Sequence, residues 1–184
     1  MRGYSQLQLK KIRQHIKNGG LIAYPTEHCY GLGCDPFNRK ALRALIKLKG
    51  RNPKKGFIVI ASNVQQLKDI VVMPTNTNEF NAVWPGPVTL LLEAQQQKTP
   101  VILRGKHSTI AVRVTKHKLV IQLCNFINSP LVSTSANFSG LKPGKTYKNC
   151  LQQLGRRVMV LPGLTNFAPK PSTIIDWHSK KRLR

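Results

Sequence analysis

Leu131-Val-Ser-Thr-Ser-Ala-Asn-Phe-Ser-Gly140 is where an apolar run gives way to small hydroxyl and amide side chains. Leu131 and Val132 read as the end of a buried strand. Ser133, Thr134, Ser135, Asn137 and Ser139 then read as a turn offering hydroxyls, one carboxamide and backbone N–H groups. Gly140 permits a backbone conformation closed to other residues. Such a turn can hold an anion, but on this stretch alone Ser, Asn and Gly after a strand read first as ordinary loop residues. The choice rests on what surrounds it.

Upstream, a helix is predicted over residues 119–127 and strands over 110–114 and 88–93, with a polar loop at 95–100 between them. Trp84-Pro-Gly-Pro87 forces a rigid turn. Helices are predicted around 64–70 and 78–83, and a strand over 57–61. Further back, Asn38 caps a helix through Ala41, Leu42, Leu45, Ile46 and Leu48, after a polar, glycine-punctuated connection over 25–36. A buried strand covers 21–24. The first helix starts at Ser5, presents Leu7, Leu9, Ile12 and Ile16, and ends at Gly19-Gly20. Downstream lie a helix near 148–154 and strands at 158–161 and 173–176. Alternating helices and strands of these lengths predict a single α/β domain over residues 1–184.

The chain has 184 residues, 41% of them hydrophobic, enough for one sizeable core. Its apolar runs are too short to span a bilayer, and its start has no apolar signal core, so a cytoplasmic protein is expected. Thirty Lys and Arg against six Asp and Glu give 30 − 6 = +24. That field favours polyanions, although the lysines are scattered and form no single stripe. Cys29, Cys34, Cys124 and Cys150 lack CxxC spacing and read as buried or incidental thiols. The five histidines lack paired-ligand spacing, so no protein-held metal is expected. His15 reads as solvent-facing; His28, in the 25–33 loop, is the one histidine placed as an acid–base group or substrate contact.

No GxxxxGK[ST] or GxGxxG run is present, and no carboxylate pair or Ser-His-Asp arrangement can be read from spacing. What remains are cations and hydroxyls at strand ends, where ligands of α/β domains collect. Lys49, Arg51, Lys54 and Lys55 lie where a helix yields to Gly and Pro, and they suit either phosphate or a solvated turn. Arg113 interrupts the run Ile-Ala-Val-Arg-Val, where a charge must be paired or face a cavity. A structural ion pair is the usual outcome, but with only six acidic residues to supply the partner a bound anion is also a candidate.

Six motifs occur in one order: Tyr-Pro-Thr-Glu-x-x-Tyr-Gly-Leu-Gly, Lys-x-Arg followed by Lys55-Gly56, Trp-Pro-Gly-Pro-Val-Thr, Ile-Ala-Val-Arg-Val, Ser-Thr-Ser-Ala-Asn-x-Ser-Gly and Pro-Ser-Thr-Ile. Together they resemble the YrdC-like threonylcarbamoyl-AMP synthases in their short form, over about residues 7–184. The resemblance implies a twisted mixed β-sheet flanked by helices with a basic concave cavity. It also implies an enzyme that condenses L-threonine, bicarbonate and ATP, with Mg2+, to threonylcarbamoyl-AMP and diphosphate. The intermediate serves threonylcarbamoyladenosine modification beside the tRNA anticodon and passes to tRNA-modification proteins.

By motif, Lys49 and Arg51 take the catalytic role. Lys49, Arg51, Lys55, Thr109, Ser135, Asn137, Thr146 and Arg184 take the ATP side, and Thr26, Tyr30, Arg113, Ser133 and Ser172 the threonine side. His28 stands where many members have threonine, and Ile60 where many have histidine. Two other functions fit the same residues: binding of double-stranded or structured RNA during ribosomal RNA maturation, and the carbamoyl-adenylate chemistry of hydrogenase-maturation relatives.

Overall fold

The computed structural model describes residues 3–75 and 78–184. Helix α1, Gln6–Lys17, begins with a reciprocal cap: Ser5 Oγ accepts from Gln8 N at 3.3 Å and Gln8 Oε1 from Ser5 N at 2.8 Å. It buries Leu9, Ile12 and Ile16. Leu7, expected on that face, is exposed, because two residues before Leu9 is about 200° around a helix. Helix α2, Arg39–Lys49, is capped by Asn38 Oδ1, 3.0 Å from Ala41 N, and ended by Gly50 at φ 55°. Val101–Arg104 (α3), Lys118–Ile127 (α4) and Tyr147–Leu154 (α5) complete the helices. The one-turn α3 has no counterpart in the sequence reading.

Among the described residues, eight strands form one mixed sheet: β1 Ile22–Pro25, β2 Tyr30–Gly33, β3 Ile58–Ala61, β4 Val88–Glu93, β5 Thr109–Val114, β6 Leu131–Ser135, β7 Met159–Val160 and β8 Thr173–Asp176. Their order is β7-β1-β2-β6-β3-β5-β4-β8, with β1/β7, β3/β5 and β4/β8 parallel and the other neighbours antiparallel.

The structure corrects several expectations. The connection at 25–36 contains β2, whose glycines are strand positions: a Cβ on Gly33 would lie 1.7 Å from the Val132 carbonyl oxygen. Residues 133–135 are strand rather than turn, because pairing with Ile58 on one side and with Gly31 and Leu32 on the other holds them extended. The segments expected as helices at 64–70 and 78–83 form only 3-10 turns, Val64–Leu67 and Asn78–Ala82. His15 is half-buried and donates from Nε2 to the Leu21 carbonyl at 2.9 Å. All four cysteines are free, with Cys34, Cys124 and Cys150 buried as expected.

Alternation along the strands divides the interior in two. Ile22, Tyr24, Ile60 and Leu131 meet Leu9, Ile12 and Ile16 of α1 and Leu119, Val120 and Leu123 of α4 on one face. Ala23, Leu32, Val59, Val112 and Val132 pack with Ala41, Leu42 and Leu45 of α2 on the other. The first face continues past its helices. By register, Ser135 pairs with Gly31, Ser133 with Ile58, and Ile58 with Ala111, while Arg113 stands beside Ile60. These positions share the α1/α4 side but line an open cavity instead. Among the described residues, no helix is long and apolar enough to cross a membrane.

Candidate active site

The cavity has a volume of about 620 Å³, within the range of small-molecule sites. Its floor runs across four strands through Ser133, Ile58, Ala111 and Leu91, with Ser135 and Gly31 alongside. A Cβ on Gly31 would project into this floor, 3.1 Å from Ser133 Oγ and 3.2 Å from Thr26 Cγ2. Strand pairing therefore aligns hydroxyls and an open space that local turn chemistry would not.

One end is organised by Arg113 and Glu27. Arg113 Nη2 donates to Glu27 Oε2 at 2.9 Å, while Thr115 Oγ1 and the Lys116 N–H donate to Glu27 Oε1 at 2.7 and 3.1 Å. Burial pushes the Glu27 carboxyl up, but the Arg113 charge and these donors outweigh it and hold it below its ordinary value. Of the two outcomes open for Arg113, the structure shows the ion pair: Glu27 supplies it from 86 residues away. Arg113 nonetheless remains on the cavity wall.

Thr26 Oγ1 donates to the Cys29 carbonyl at 2.6 Å and Tyr30 Oη to the Gly163 carbonyl at 2.6 Å, so each hydroxyl keeps only lone pairs to offer. Ser172 Oγ lies 2.8 Å from Thr89 Oγ1, and Arg184 Nε donates to the Ser172 carbonyl at 3.1 Å. Burial and the nearby Arg113 charge push the Arg184 guanidinium below its ordinary value.

The other end is cationic. Arg51 Nη2 donates to the Gly56 carbonyl at 2.6 Å, with its guanidinium 5.0 Å from the centre of the Phe57 ring. Lys55 bridges to Gly105, which brings this turn against the start of β5 at Thr109. Arg104 and His107 line the same end, joined by Arg104 Nη1 donating to the His107 carbonyl at 2.8 Å. Sequence reasoning did not single out either residue; a basic side chain just before a strand was the available signal. Gly31 was likewise seen only as part of a motif.

The structure brings Thr26, Tyr30, Arg113, Ser133 and Ser172 into one cavity with Arg51, Lys55, Thr109, Ser135 and Arg184. Lys49, Asn137 and Thr146 stand behind or outside it. Lys49 Nζ donates to the carbonyls of Ser135 and Asn137 at 2.9 and 2.8 Å and to Asn137 Oδ1 at 2.7 Å, which uses all three ammonium hydrogens. Burial, then the Arg51 charge, lowers its pKa to about 8. Asn137 Oδ1 also accepts from Ser135 Oγ at 2.7 Å, and its Nδ2 donates to the Leu141 carbonyl. Thr146 caps α5, accepting from Asn149 N at 3.1 Å. Among the described residues, no three His, Cys, Asp or Glu side chains gather as a metal site.

A cavity with anchored cations at both ends and hydroxyls between can orient a substrate carrying several anionic groups. The Sua5/YciO/YrdC family model, described as telomere recombination, matches residues 14–184. The threonylcarbamoyl-AMP synthase of Methylobacillus flagellatus is 46% identical over 172 residues, covering 92% of this chain and 95% of the relative. That of Thiobacillus denitrificans is 45% identical over 175 residues, covering 94% and 93%. Among solved structures, P. abyssi Sua5 complexed with L-threonine superposes with a TM-score of 0.87 at 26% identity, covering 97% of this chain. The chain spans 54% of that protein's length. E. coli YciO, at 20% identity and a TM-score of 0.85 over 98% of this chain and 89% of its own, shares the fold.

Proposed function

The chain belongs to the Sua5/YciO/YrdC family, and from that membership we infer that it is a threonylcarbamoyl-AMP synthase, a nucleotidyltransferase. It condenses L-threonine, bicarbonate and ATP to threonylcarbamoyl-AMP and diphosphate for tRNA modification. The observation that supports this reading is one cavity lined by Arg113 at one end and by Arg51 and Lys55 at the other. Thr109 and Arg113 lie four residues apart on β5, about 13 Å at a rise of 3.3 Å per residue. That span separates an amino-acid carboxylate from a nucleotide's phosphates while leaving their reacting groups between the two ends.

In this reading Arg113, fixed by Glu27, meets the threonine carboxylate, and Ser133, Thr26, Tyr30 and Ser172 shape that end. Arg51 and Lys55 neutralise the phosphates, with Thr109 and Ser135 beside them, while Arg184, expected on the ATP side, is held to Ser172 and would reach the nucleotide from the Arg113 end. Lys49 and Asn137 act from behind by fixing Ser135. A carbamate oxygen attacks the α-phosphorus in line and diphosphate leaves; orientation and charge neutralisation are the enzyme's main contributions. Among the described residues no Asp or Glu side chain lines the cavity, so the protein's side chains do not fit a resident Mg2+, and the ion belongs with the ATP phosphates as part of the substrate. We place the chain in the cytoplasm, handing its product to a tRNA-modification protein.

The test is diphosphate release from ATP, Mg2+ and bicarbonate with and without threonine. Threonine-dependent release is expected, and its absence would overturn the assignment. The net charge of +24 favours a second reading, binding of structured RNA. Salt-sensitive RNA binding without diphosphate release would put that reading first.

A further inference from the structure

His28 lines the cavity between Thr26 and Tyr30. Its Nδ1 lies 2.6 Å from the Ala168 carbonyl oxygen. A carbonyl can only accept, so Nδ1 carries the hydrogen, and the neutral ring keeps its lone pair on Nε2. The Ala168 contact therefore fixes the tautomer, much as a backbone carbonyl orients a metal-binding or catalytic imidazole. No hydrogen bond among the described residues engages Nε2.

The surrounding wall offers no better base. Glu27 already accepts from Arg113, Thr115 and Lys116. Burial pushes the Cys29 thiol and the Tyr30 phenol up, and the Tyr30 hydroxyl hydrogen is engaged by Gly163. The other cavity histidine, His107, lies two residues before Thr109, which is itself about 13 Å of strand away from Arg113. Of these groups, His28 is the one that presents a basic nitrogen lone pair beside Thr26 and Tyr30 in the chain, on the same cavity as Arg113.

Resting on the synthase reading, we propose that His28 is the base for the amine of threonine. Its Nε2 takes one proton from the substrate ammonium. The freed amine nitrogen then bonds to the bicarbonate carbon, one carbon–oxygen bond breaks, and the departing oxygen leaves as water with the second amine proton. The product is the carbamate, and the imidazolium returns its proton to solvent. A bound ammonium cannot attack carbon, so an enzyme that holds threonine among cations gains from a neutral acceptor beside its nitrogen.

His28→Asn tests this, because the Asn amide can keep the donor to Ala168 while removing Nε2. Melting temperature reports that the fold is intact. Threonine-dependent diphosphate release should lose about 100-fold in kcat, the usual size of a general-base contribution, with the threonine KM little changed. His28→Ala with added imidazole supplies an independent arm, in which part of the lost rate should return. Turnover within about twofold of wild type for the Asn variant would overturn the proposal. So would a loss confined to KM that imidazole leaves untouched. A wild-type enzyme inert towards threonine removes the synthase reading and this inference with it, an outcome visible before any variant is made.

Discussion

Glu27 and Arg113 meet at 2.9 Å with their side chains 11% and 9% exposed, one from the loop after β1 and the other from the middle of the sheet. The pair joins the segment carrying Thr26, His28 and Tyr30 of the cavity lining to a strand of its floor. Thr115 and the Lys116 N–H use the second carboxylate oxygen, so Glu27 is satisfied and Arg113 is held against the wall. Arg113 can then present its remaining N–H groups without reorganising when an anion arrives.

Glu27→Gln is expected to destabilise the protein by about 3 kcal/mol at neutral pH, since it leaves the Arg113 charge buried without a counter-charge. The folded pKa of Glu27 lies below its ordinary 4.5. Its contribution is therefore present in full above that value and is lost as pH falls through the lower folded value. Thermal melts of wild type and variant should differ at pH 7 and converge in acid. A gap that persists unchanged into acid would contradict the ion-pair account.

Gly31 and Gly33 are alike in sequence and unlike in consequence. A Cβ on Gly33 would sit 1.7 Å from a backbone carbonyl, and Gly33→Ala should fail to yield folded protein. The atoms nearest a Cβ on Gly31 would be side-chain atoms of Ser133, Thr26 and Tyr24, at 3.1 to 3.2 Å. Gly31→Ala should fold, at a cost of about 1 kcal/mol, and raise the threonine KM about tenfold by filling the floor. Circular dichroism, melts and steady-state kinetics check both expectations.

What the sequence made legible was local. Ser5 and Asn38 announce their helices because the capping oxygen and the N–H it accepts from lie three residues apart. Residues 88–93 and 173–176 match β4 and β8 because their apolar runs are bounded by turn residues. Strand β2 escaped because Tyr30 to Gly33 alternate with glycine, and only the closeness of Val132 explains why no side chain fits. The hydroxyls of β6 looked like a turn because the two strands that hold them extended lie elsewhere in the chain. The site shows the same limit. Ordered motifs brought the proposed threonine residues to one cavity, yet nothing local showed that Lys49 would turn its ammonium away from it.

Lys49→Met should lower stability by about 3 kcal/mol, because three oxygen acceptors of the 135–137 segment lose their donor together. The folded pKa of Lys49 is about 8 against an ordinary 10.5. Between those values the unfolded chain binds more protons than the folded one, so wild-type stability rises with pH through that window. The advantage of wild type over Lys49→Met should accordingly widen from pH 8 towards 10.5. Denaturant titrations across that range measure it, and a constant difference would mean that the ammonium keeps its proton.

Arg51 is held differently, and its variants separate binding from stability. Its guanidinium rests on the Phe57 ring and one hydrogen bond to Gly56, and it lines the cavity. Arg51→Ala should raise the ATP KM by about 10- to 100-fold, the loss of a charge-assisted contact worth roughly 1.5–3 kcal/mol, while the melting temperature moves little. Arg51→Lys should recover only part of the affinity, since an ammonium keeps the charge but neither the planar fork nor the stacking surface. Raised salt should narrow the gap between wild type and Arg51→Ala, because screening weakens the attraction that Arg51 supplies. Full ATP affinity in Arg51→Ala would remove Arg51 from the phosphate end and leave Lys55 and Arg104 to carry it.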